Sequence, residues 1–247
     1  MSNRSWTRRD LIKLMAAAPS LLLIVWGPSS SRGQDESDYD AHAHHWGYAV
    51  DTTRCIGCGN CMRACRAEND VPEGFYRTWV ERYRVGIDGE THVDVADSKT
   101  LIFAELSGEI SKAFFVPKLC NHCEKSVCTQ VCPVGASFQT PDGVVLVDEK
   151  HCIGCGYCVQ ACPYGSRFID PHTHTAGKCT LCYHRITKGE EPACVAMCPM
   201  GARIFGDLND PRSKLATILR QNRYRVLRPE MGTHPKCYYQ GLDREVV

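Results

Sequence analysis

The chain has 247 residues, which is enough for one large domain or two small ones. Its 29 basic and 28 acidic residues leave a formal charge of +1, and this balance gives no support for nucleic-acid binding. The 17 cysteines approach the density of a disulfide scaffold. They recur, however, as pairs separated by two residues, which form structural disulfides poorly and bind metals well. The composition therefore favours a metalloprotein.

The first 33 residues are typical of a targeting segment. Residues 7–13, TRRDLIK, resemble a twin-arginine export signal, and the apolar run over residues 14–26 is too short for a membrane span. The resemblance implies export of the folded protein to the periplasm or the extracytoplasmic face of the membrane. No A-x-A cleavage site is visible, so an uncleaved anchor stays open. The alternative is an amphipathic helix with an accidental arginine pair.

Residues 34–47 are acidic and then rich in histidine, with His42, His44 and His45 close together. Short histidine tracts can bind metals, but their composition alone is weak support for a site. The sequence favours a flexible lead-in over a metal site here.

The predicted fold begins with a short strand over residues 48–51. It leads to the first cysteine quartet, residues 55–65, which has the spacing C-x2-C-x2-C-x3-C of a bacterial [4Fe–4S] ferredoxin. Gly57 and Gly59 leave room for backbone N–H groups to approach inorganic sulfur. Arg66 takes the place of the proline that usually follows such a quartet, so we expect the chain to continue there as a helix.

An insertion without cysteines completes the first predicted segment, residues 48–118. Alternating residues over 78–85 and 91–95 flank an Asp-Gly turn and predict a β-hairpin. Three of its side chains are of types common at protein interfaces: Trp79, Arg82 and Tyr83. They could equally cap a small core, and both interpretations stay open.

Residues 119–170 are predicted to form a two-cluster ferredoxin. The second quartet, residues 120–132, has the spacing C-x2-C-x4-C-x3-C, and the third, residues 152–162, repeats the spacing of the first. A strand–turn–strand with Pro-Asp-Gly at the turn is predicted between them. His122 lies inside the second quartet, and we expect it to donate a hydrogen bond to a cluster or to the backbone.

The fourth quartet, residues 179–198, lies in the predicted segment 171–206 and has the spacing C-x2-C-x11-C-x3-C. Its long gap is weak support when taken alone. The sequence GSRFI follows the third quartet and GARIF follows the fourth, and this internal repeat places the fourth quartet in the same series.

The last segment, residues 207–247, changes in character. Asn209 or Asp210 is predicted to cap a helix that presents Leu215, Ile218 and Leu219 on one face. An aromatic, loop-like docking tail follows. It contains the unpaired Cys237, which we expect to be a small, at least half-buried residue and not a further ligand.

In two-cluster ferredoxins the fourth cysteine of each quartet ligates the other cluster. If this rule pairs the second quartet with the third, the first quartet is left to pair with the fourth. The sequence then predicts one two-cluster ferredoxin inserted into another. The predicted fold class is therefore α+β, with two interleaved bacterial-ferredoxin-like dicluster modules, a hairpin insertion and a C-terminal helix and tail. The predicted ligand sets for four [4Fe–4S] clusters are Cys55, Cys58, Cys61 and Cys198; Cys65, Cys179, Cys182 and Cys194; Cys120, Cys123, Cys128 and Cys162; and Cys132, Cys152, Cys155 and Cys158.

Several stretches carry a resemblance to a known family. LCNHC, CIGCGYCVQACPYGSRF, KCTLCYHR and PACVAMCP followed by GARIFGDLNDP resemble the iron–sulfur subunits of complex molybdopterin oxidoreductases. Within that group, and in the C-terminal RVLRPEMGTHPKCYYQGLD, the chain is most similar to the tetrathionate and polysulfide reductase type. The resemblance implies two partners, a bis-MGD molybdopterin catalytic subunit and a polytopic, quinol-handling membrane subunit.

The predicted function is electron transfer through four [4Fe–4S] clusters between those two partners, in anaerobic respiration of tetrathionate, polysulfide or a related sulfur compound. The alternative is the same type of module delivering electrons to a multihaem cytochrome nitrite reductase. Beyond the cysteines the sequence shows no nucleophile–base set or phosphate-binding loop, so we expect no catalysis by this chain itself. A structural zinc protein would show isolated cysteine pairs in place of these C-x2-C-x2-C triplets.

Overall fold

The computed structural model describes residues 39–105 and 108–246. The predicted export signal over residues 1–33 and the start of the predicted lead-in lie outside the described residues. Within them, no helix combines the length and the apolar character that crossing a membrane requires.

The secondary structure consists of short elements joined by the cysteine-bearing loops. The strands are β1 (Trp46–Asp51), β2 (Thr78–Gly86), β3 (Thr91–Val95), β4 (Ile110–Leu119), β5 (Ser137–Gln139), β6 (Val145–Val147), β7 (Arg167–Ile169), β8 (Ala176–Lys178), β9 (Arg203–Asp207) and β10 (Cys237–Gln240). The helices are α1 (Asn60–Asn69), α2 (Val127–Gln130), α3 (Tyr157–Gln160), α4 (Tyr183–Ile186), α5 (Ala193–Ala196) and α6 (Lys214–Gln221). Single 3-10 turns lie at Ala41–Ala43, Thr52–Arg54 and Pro229–Met231.

A three-stranded sheet in the order β10-β1-β9 joins parts of the chain that are far apart in sequence. The central strand β1 precedes the first quartet, and β9, which pairs antiparallel to it, follows the fourth. Strand β1 is covered on both faces, because Tyr48 and Val50 enter the main core while Ala49 packs beneath α6. This pairing brings the two outer quartets together.

Two small hairpins join the remaining quartets. Strands β5 and β6 pair between the second and third quartets, and β7 and β8 pair between the third and fourth. Each connection is short, so the end of one quartet and the start of the next are held side by side.

The insertion forms a second three-stranded sheet in the order β3-β2-β4. The hairpin β2–β3 turns near Asp88 and Gly89, and β4 covers the other edge of β2. Tyr83 is buried and stacks on Phe114, and the buried Arg82 pairs with Asp94. Of the two interpretations of these side chains, the structure therefore favours the core role for Arg82 and Tyr83.

The C-terminal helix α6 starts later than predicted. Its N-cap is Ser213, whose hydroxyl accepts a hydrogen bond from the Ala216 N–H at 3.1 Å, so the predicted cap at Asn209 or Asp210 is wrong. Asp210 instead accepts the backbone N–H of Arg212 in a turn before the helix. Leu215, on the predicted apolar face, is fully buried against the sheet.

Residues 39–47, predicted as part of a flexible lead-in, instead pack on the fold. The His44 ring stacks between Tyr39 and Trp46, and Trp46 stacks in turn on Phe205. The His44 Nδ1 lies 2.7 Å from a carboxylate oxygen of Asp207. The histidine composition concealed this packing, because it depends on contacts with β9.

The position of Leu215 generates a prediction about stability. Leu215→Ala removes a side chain that is 0% exposed and leaves a cavity between α6 and the sheet, so we expect a loss of about 2 to 5 kcal/mol. Leu219→Ala makes the same chemical change on a half-buried neighbour of the same helix and should cost less than half as much. Urea denaturation of the two cluster-loaded variants measures the difference, and equal losses would contradict the packing described.

Candidate metal centres

Four predicted ligands surround the first cavity, which we call site A. Its lining includes Cys55, Cys58, Cys61 and Cys198, and its volume is about 340 Å³. The first three thiols come from the loop before α1 and from the first turn of that helix. Cys198 comes from the fourth quartet, far along the chain, and reaches site A because β9 pairs with β1.

Two further cavities of the same volume, about 340 Å³ each, belong to the inner quartets. Site C is lined by Cys120, Cys123, Cys128 and Cys162. Site D is lined by Cys132, Cys152, Cys155 and Cys158. In each, three thiols come from one quartet and the fourth from the other.

The remaining set of thiols forms site B, with Cys65, Cys179, Cys182 and Cys194. Burial and the charges of the other three thiolates raise the pKa of Cys65 well above its ordinary value. The Asn69 side-chain amide lies 3.7 Å from the sulfur of Cys65 and 3.6 Å from that of Cys182. The structure thus brings together all four sets that the spacing rule predicts.

The second of the two residues between the cysteines of the C-x2-C pair that opens each quartet adopts the same left-handed backbone. Gly57 and Gly154 have φ values of 69° and 68°, and His122 and Leu181 have 42° and 54°. This conformation costs a residue with a side chain about 1–2 kcal/mol, so two of the four loops carry strain. The common conformation turns the intervening backbone around the space that the thiols face.

Backbone and side-chain donors point at several thiols. The N–H groups of Ser137, Ala176 and Leu181 lie 3.4–3.5 Å from the sulfur atoms of Cys132, Cys152 and Cys179, respectively. Desolvation opposes ionisation of Cys132, but backbone N–H donors outweigh it and lower the pKa of that thiol. Such donors stabilise thiolate and sulfide charge.

The pKa values of many other thiols are raised instead. Burial is the largest cause, and it raises the pKa of Cys55 to about 11 and that of Cys123 to about 12. Thiols with these values are protonated near neutral pH, so metal binding must displace their protons and supply the counter-charge.

Buried polar atoms without partners test whether an iron–sulfur cluster fits these sites. Beside site C, three buried side chains have donor nitrogens with no hydrogen-bond partner: the Nδ2 of Asn121, the Nε2 of His122 and two guanidinium nitrogens of Arg167. Beside site A, the Nη2 of Arg203 is in the same condition. Unsatisfied buried donors are costly, and an acidic, sulfide-rich cluster would accept from them. The residues present therefore fit the group.

No three His, Cys, Asp or Glu side chains among residues 39–105 and 108–246 converge closely enough for a single metal ion. The thiol sets of sites A, C and D are instead each spread around a cavity. A cubane needs that arrangement, because each of its four irons takes one protein thiolate.

Buried cations define how the sites follow one another. Arg203 faces thiols of sites A and B, Lys178 faces thiols of sites B and C, and Arg167 faces thiols of sites C and D. Both end sites reach the surface, since Cys58 of site A and Cys155 of site D are exposed. The order of the sites is therefore A–B–C–D.

Comparisons with known proteins agree with this geometry. Two family models described as 4Fe-4S dicluster domains match residues 54–136 and 111–208. Over 206 residues the chain is 47% identical to a subunit of tetrathionate reductase from Salmonella typhimurium, and the match covers 83% of this chain and 75% of that protein. The chain belongs to this family of iron–sulfur subunits. The family assignment confirms the predicted resemblance, the ferredoxin-like dicluster domains and the general electron-transfer role.

Other members of the family have different names. A polysulfide reductase component from Wolinella succinogenes is 39% identical over 201 residues, covering 79% of this chain and 94% of that protein. Protein NrfC of Escherichia coli is 41% identical over 197 residues, covering 78% and 79%. Family membership therefore does not decide which reaction this chain serves.

Sequence reasoning missed the buried cations. Arg167 and Arg203 occupy the third position of GSRFI and GARIF, a repeated charge that could have identified them. The Nδ1 of His122 accepts the Val145 N–H at 3.0 Å, which leaves Nε2 as the ring's donor, and the predicted hydrogen bond to a cluster stays a prediction. Cys237 is buried in β10, as its isolated position in the sequence predicted.

The two glycines of the third quartet provide a matched test of the loop geometry. Both Gly154 and Gly156 have positive φ, but a Cβ on Gly154 would lie 2.3 Å from the carbonyl oxygen of His174, whereas nothing lies within 4 Å of one on Gly156. We expect Gly154→Ala to lower the iron content and thermal midpoint clearly more than Gly156→Ala. Iron analysis and thermal denaturation of both variants measure this, and indistinguishable variants would refute the close contact.

The cysteines provide a second matched pair. Cys58→Ala removes a thiol of site A, so we expect the loss of up to about four irons per chain, one cubane. Cys237→Ala removes the thiol outside the four sets and should leave the iron content unchanged. Iron and labile sulfide are measured on both purified variants, and iron loss from the Cys237 variant would contradict the assignment of the sites.

Proposed function

We propose that this chain transfers single electrons along sites A, B, C and D, each of which holds one [4Fe–4S] cluster. The supporting observation is the convergence of sixteen thiols into four sets that follow one another across the fold. Such a cluster, when bound, accepts and releases one electron. The chain itself contributes the thiolates, the N–H donors and the buried cations that set the potential at each site.

Binding of four clusters would change the net charge of the protein. An oxidised [4Fe–4S] core with four thiolates carries a charge of about −2, so four of them would bring the formal charge from +1 to roughly −7. The buried Arg167, Lys178 and Arg203 offset part of that charge where it is concentrated. A storage role would not need four sites in a row, whereas electron transfer does.

Both ends of the series are suited to partners. Beside site A the apolar side chain of Ile56 is 55% exposed, and beside site D that of Ile153 is 64% exposed. These residues occupy equivalent positions, next to the first cysteine of their quartets. Exposed apolar residues beside an exposed thiol indicate a surface that another protein covers.

We assign these two ends to a bis-MGD molybdopterin catalytic subunit and a polytopic quinol-handling membrane subunit. The assignment is supported by the resemblance to the tetrathionate reductase and polysulfide reductase relatives. By the same resemblance, the complex acts in anaerobic respiration with tetrathionate, polysulfide or a related sulfur compound. The twin-arginine-like segment supports a location in the periplasm or on the extracytoplasmic face of the membrane.

The cluster content is tested on the full chain purified anaerobically with its natural partners. We expect about 16 irons and 16 labile sulfides per chain, and four one-electron steps in a redox titration. A preparation with full occupancy of only two clusters, about eight irons, would contradict the proposal.

The partners are tested on the same preparation. We expect the co-purifying large subunit to yield a molybdopterin on extraction, and reduced quinol analogues to reduce the clusters when the membrane subunit is present. A c-type haem protein in place of the pterin subunit would instead identify the chain as a donor to a multihaem cytochrome, and would overturn the assignment.

A further inference from the structure

Two arginines occupy equivalent positions in the repeated part of the chain. Arg167 is the fifth residue after Cys162, and Arg203 is the fifth residue after Cys198. Each begins a strand that leaves a quartet, β7 or β9. They are 5% and 2% exposed, although a buried guanidinium is expensive unless its charge is compensated. Each of the two ferredoxin-like modules therefore contains a buried arginine at this position.

Arg203 lies between the two sites of the outer module. Its side chain lines the cavity of site A, and its Nη1 donates to the Tyr48 hydroxyl at 3.3 Å. That hydroxyl lies 3.4 Å from the sulfur of Cys194, a thiol of site B. Burial opposes the charge, but the anionic groups of both sites raise the pKa of Arg203 well above its ordinary value. Its Nη2 has no partner.

Arg167 has the same relation to the inner module. Its Nη2 donates to the sulfur of Cys128 in site C at 2.9 Å and to the hydroxyl of Ser137, which lines site D, at 2.8 Å. Its Nε and Nη1 are buried without partners. In both modules a fixed positive charge thus stands between two sites, with spare N–H donors.

We propose that Arg203 and Arg167 are positioning residues shared by the two clusters of one module each, and that each guanidinium raises the reduction potentials of both of its clusters. The proposal rests on the proposed function, because it assumes that clusters occupy the sites. The physical reason is that reduction adds negative charge to a cluster, and a nearby cation or N–H donor stabilises the reduced form more than the oxidised one. A guanidinium suits this role, since it is permanently charged and donates from several edges at once.

The test is a redox titration, followed by electron paramagnetic resonance, of the full chain in its purified complex. Arg203→Gln removes the charge and retains much of the volume, so we expect two of the four one-electron steps to fall by at least tenfold in reduction equilibrium, about 59 mV. Arg167→Gln should lower the other two steps by a similar amount. Each variant is thereby the matched control for the other.

A third variant controls for net charge. Arg212 has a side chain that is 92% exposed, and Arg212→Gln should move none of the steps by more than the titration error. The proposal is wrong if the two buried variants keep wild-type iron and no step moves, or if both variants lower the same steps. It is also wrong if Arg212→Gln shifts the steps as much as they do.

Lysine variants keep the test decisive if the glutamine variants lose iron. A lysine retains the charge but carries all of its donors on one compact nitrogen, so it lacks the planar fork with which a guanidinium directs separate N–H groups at two sites. We expect Arg203→Lys and Arg167→Lys each to lower one step of the pair and leave the other in place. Full iron with a lowered step in the other module would overturn the proposal. A wild-type protein that lacked four one-electron steps would refute the proposed function and not this inference alone.

Discussion

The exchange of the fourth cysteine between paired quartets is the constraint on which the fold depends. Cys65 must leave the first quartet for site B, and Cys198 must return from the fourth quartet to site A. The two cysteines can do so only if the beginning and the end of the metal-binding part of the chain lie side by side. The pairing of β1 with β9 provides this, with Val50 opposite Arg203. In sequence, the inner quartets lie between those two strands.

The same arrangement concentrates opposite charges in the interior. Several buried thiols have raised pKa values. Without a bound anionic group, the positive charges of the buried Arg167, Lys178 and Arg203 would lack nearby negative charge to neutralise them. An acidic cluster satisfies both groups, because it takes the thiolates as ligands and neutralises the cations. Folding and cluster binding are therefore coupled in this chain, as in other proteins whose metal groups replace part of the hydrophobic core.

The sequence predicted the grouping of the cysteines well, for a physical reason. Thiols that bind one cubane must converge, and a short loop can bring three of them together only at a narrow range of spacings. The packing of His44 against Asp207 and Trp46 could not be predicted this way, because it depends on tertiary contacts with β9. The predicted helix cap was wrong for a similar reason. Asp210 is a residue type that caps helices well, but the backbone makes one more turn before the helix begins after Ser213.

The conformation of Leu181 and the burial of Arg203 could not be predicted from a single sequence. Leu181 adopts the backbone that Gly57 adopts in the first quartet, although leucine disfavours it, because the surrounding thiols require the turn. Arg203 was visible as a repeated residue, but its burial between two sites depends on the strand pairing. The most informative sequence signal was thus chemical identity at fixed spacing, and the least informative was local conformational preference.

The most direct measurement of the central claim, four sites in the order A–B–C–D, is anomalous diffraction at the iron edge from crystals of the cluster-loaded protein. The account predicts four separate iron centres, with those of sites B and C adjacent across the junction of the modules and those of sites A and D at the two ends near the surface. Fewer than four centres, or a site A centre adjacent to that of site D, would contradict it.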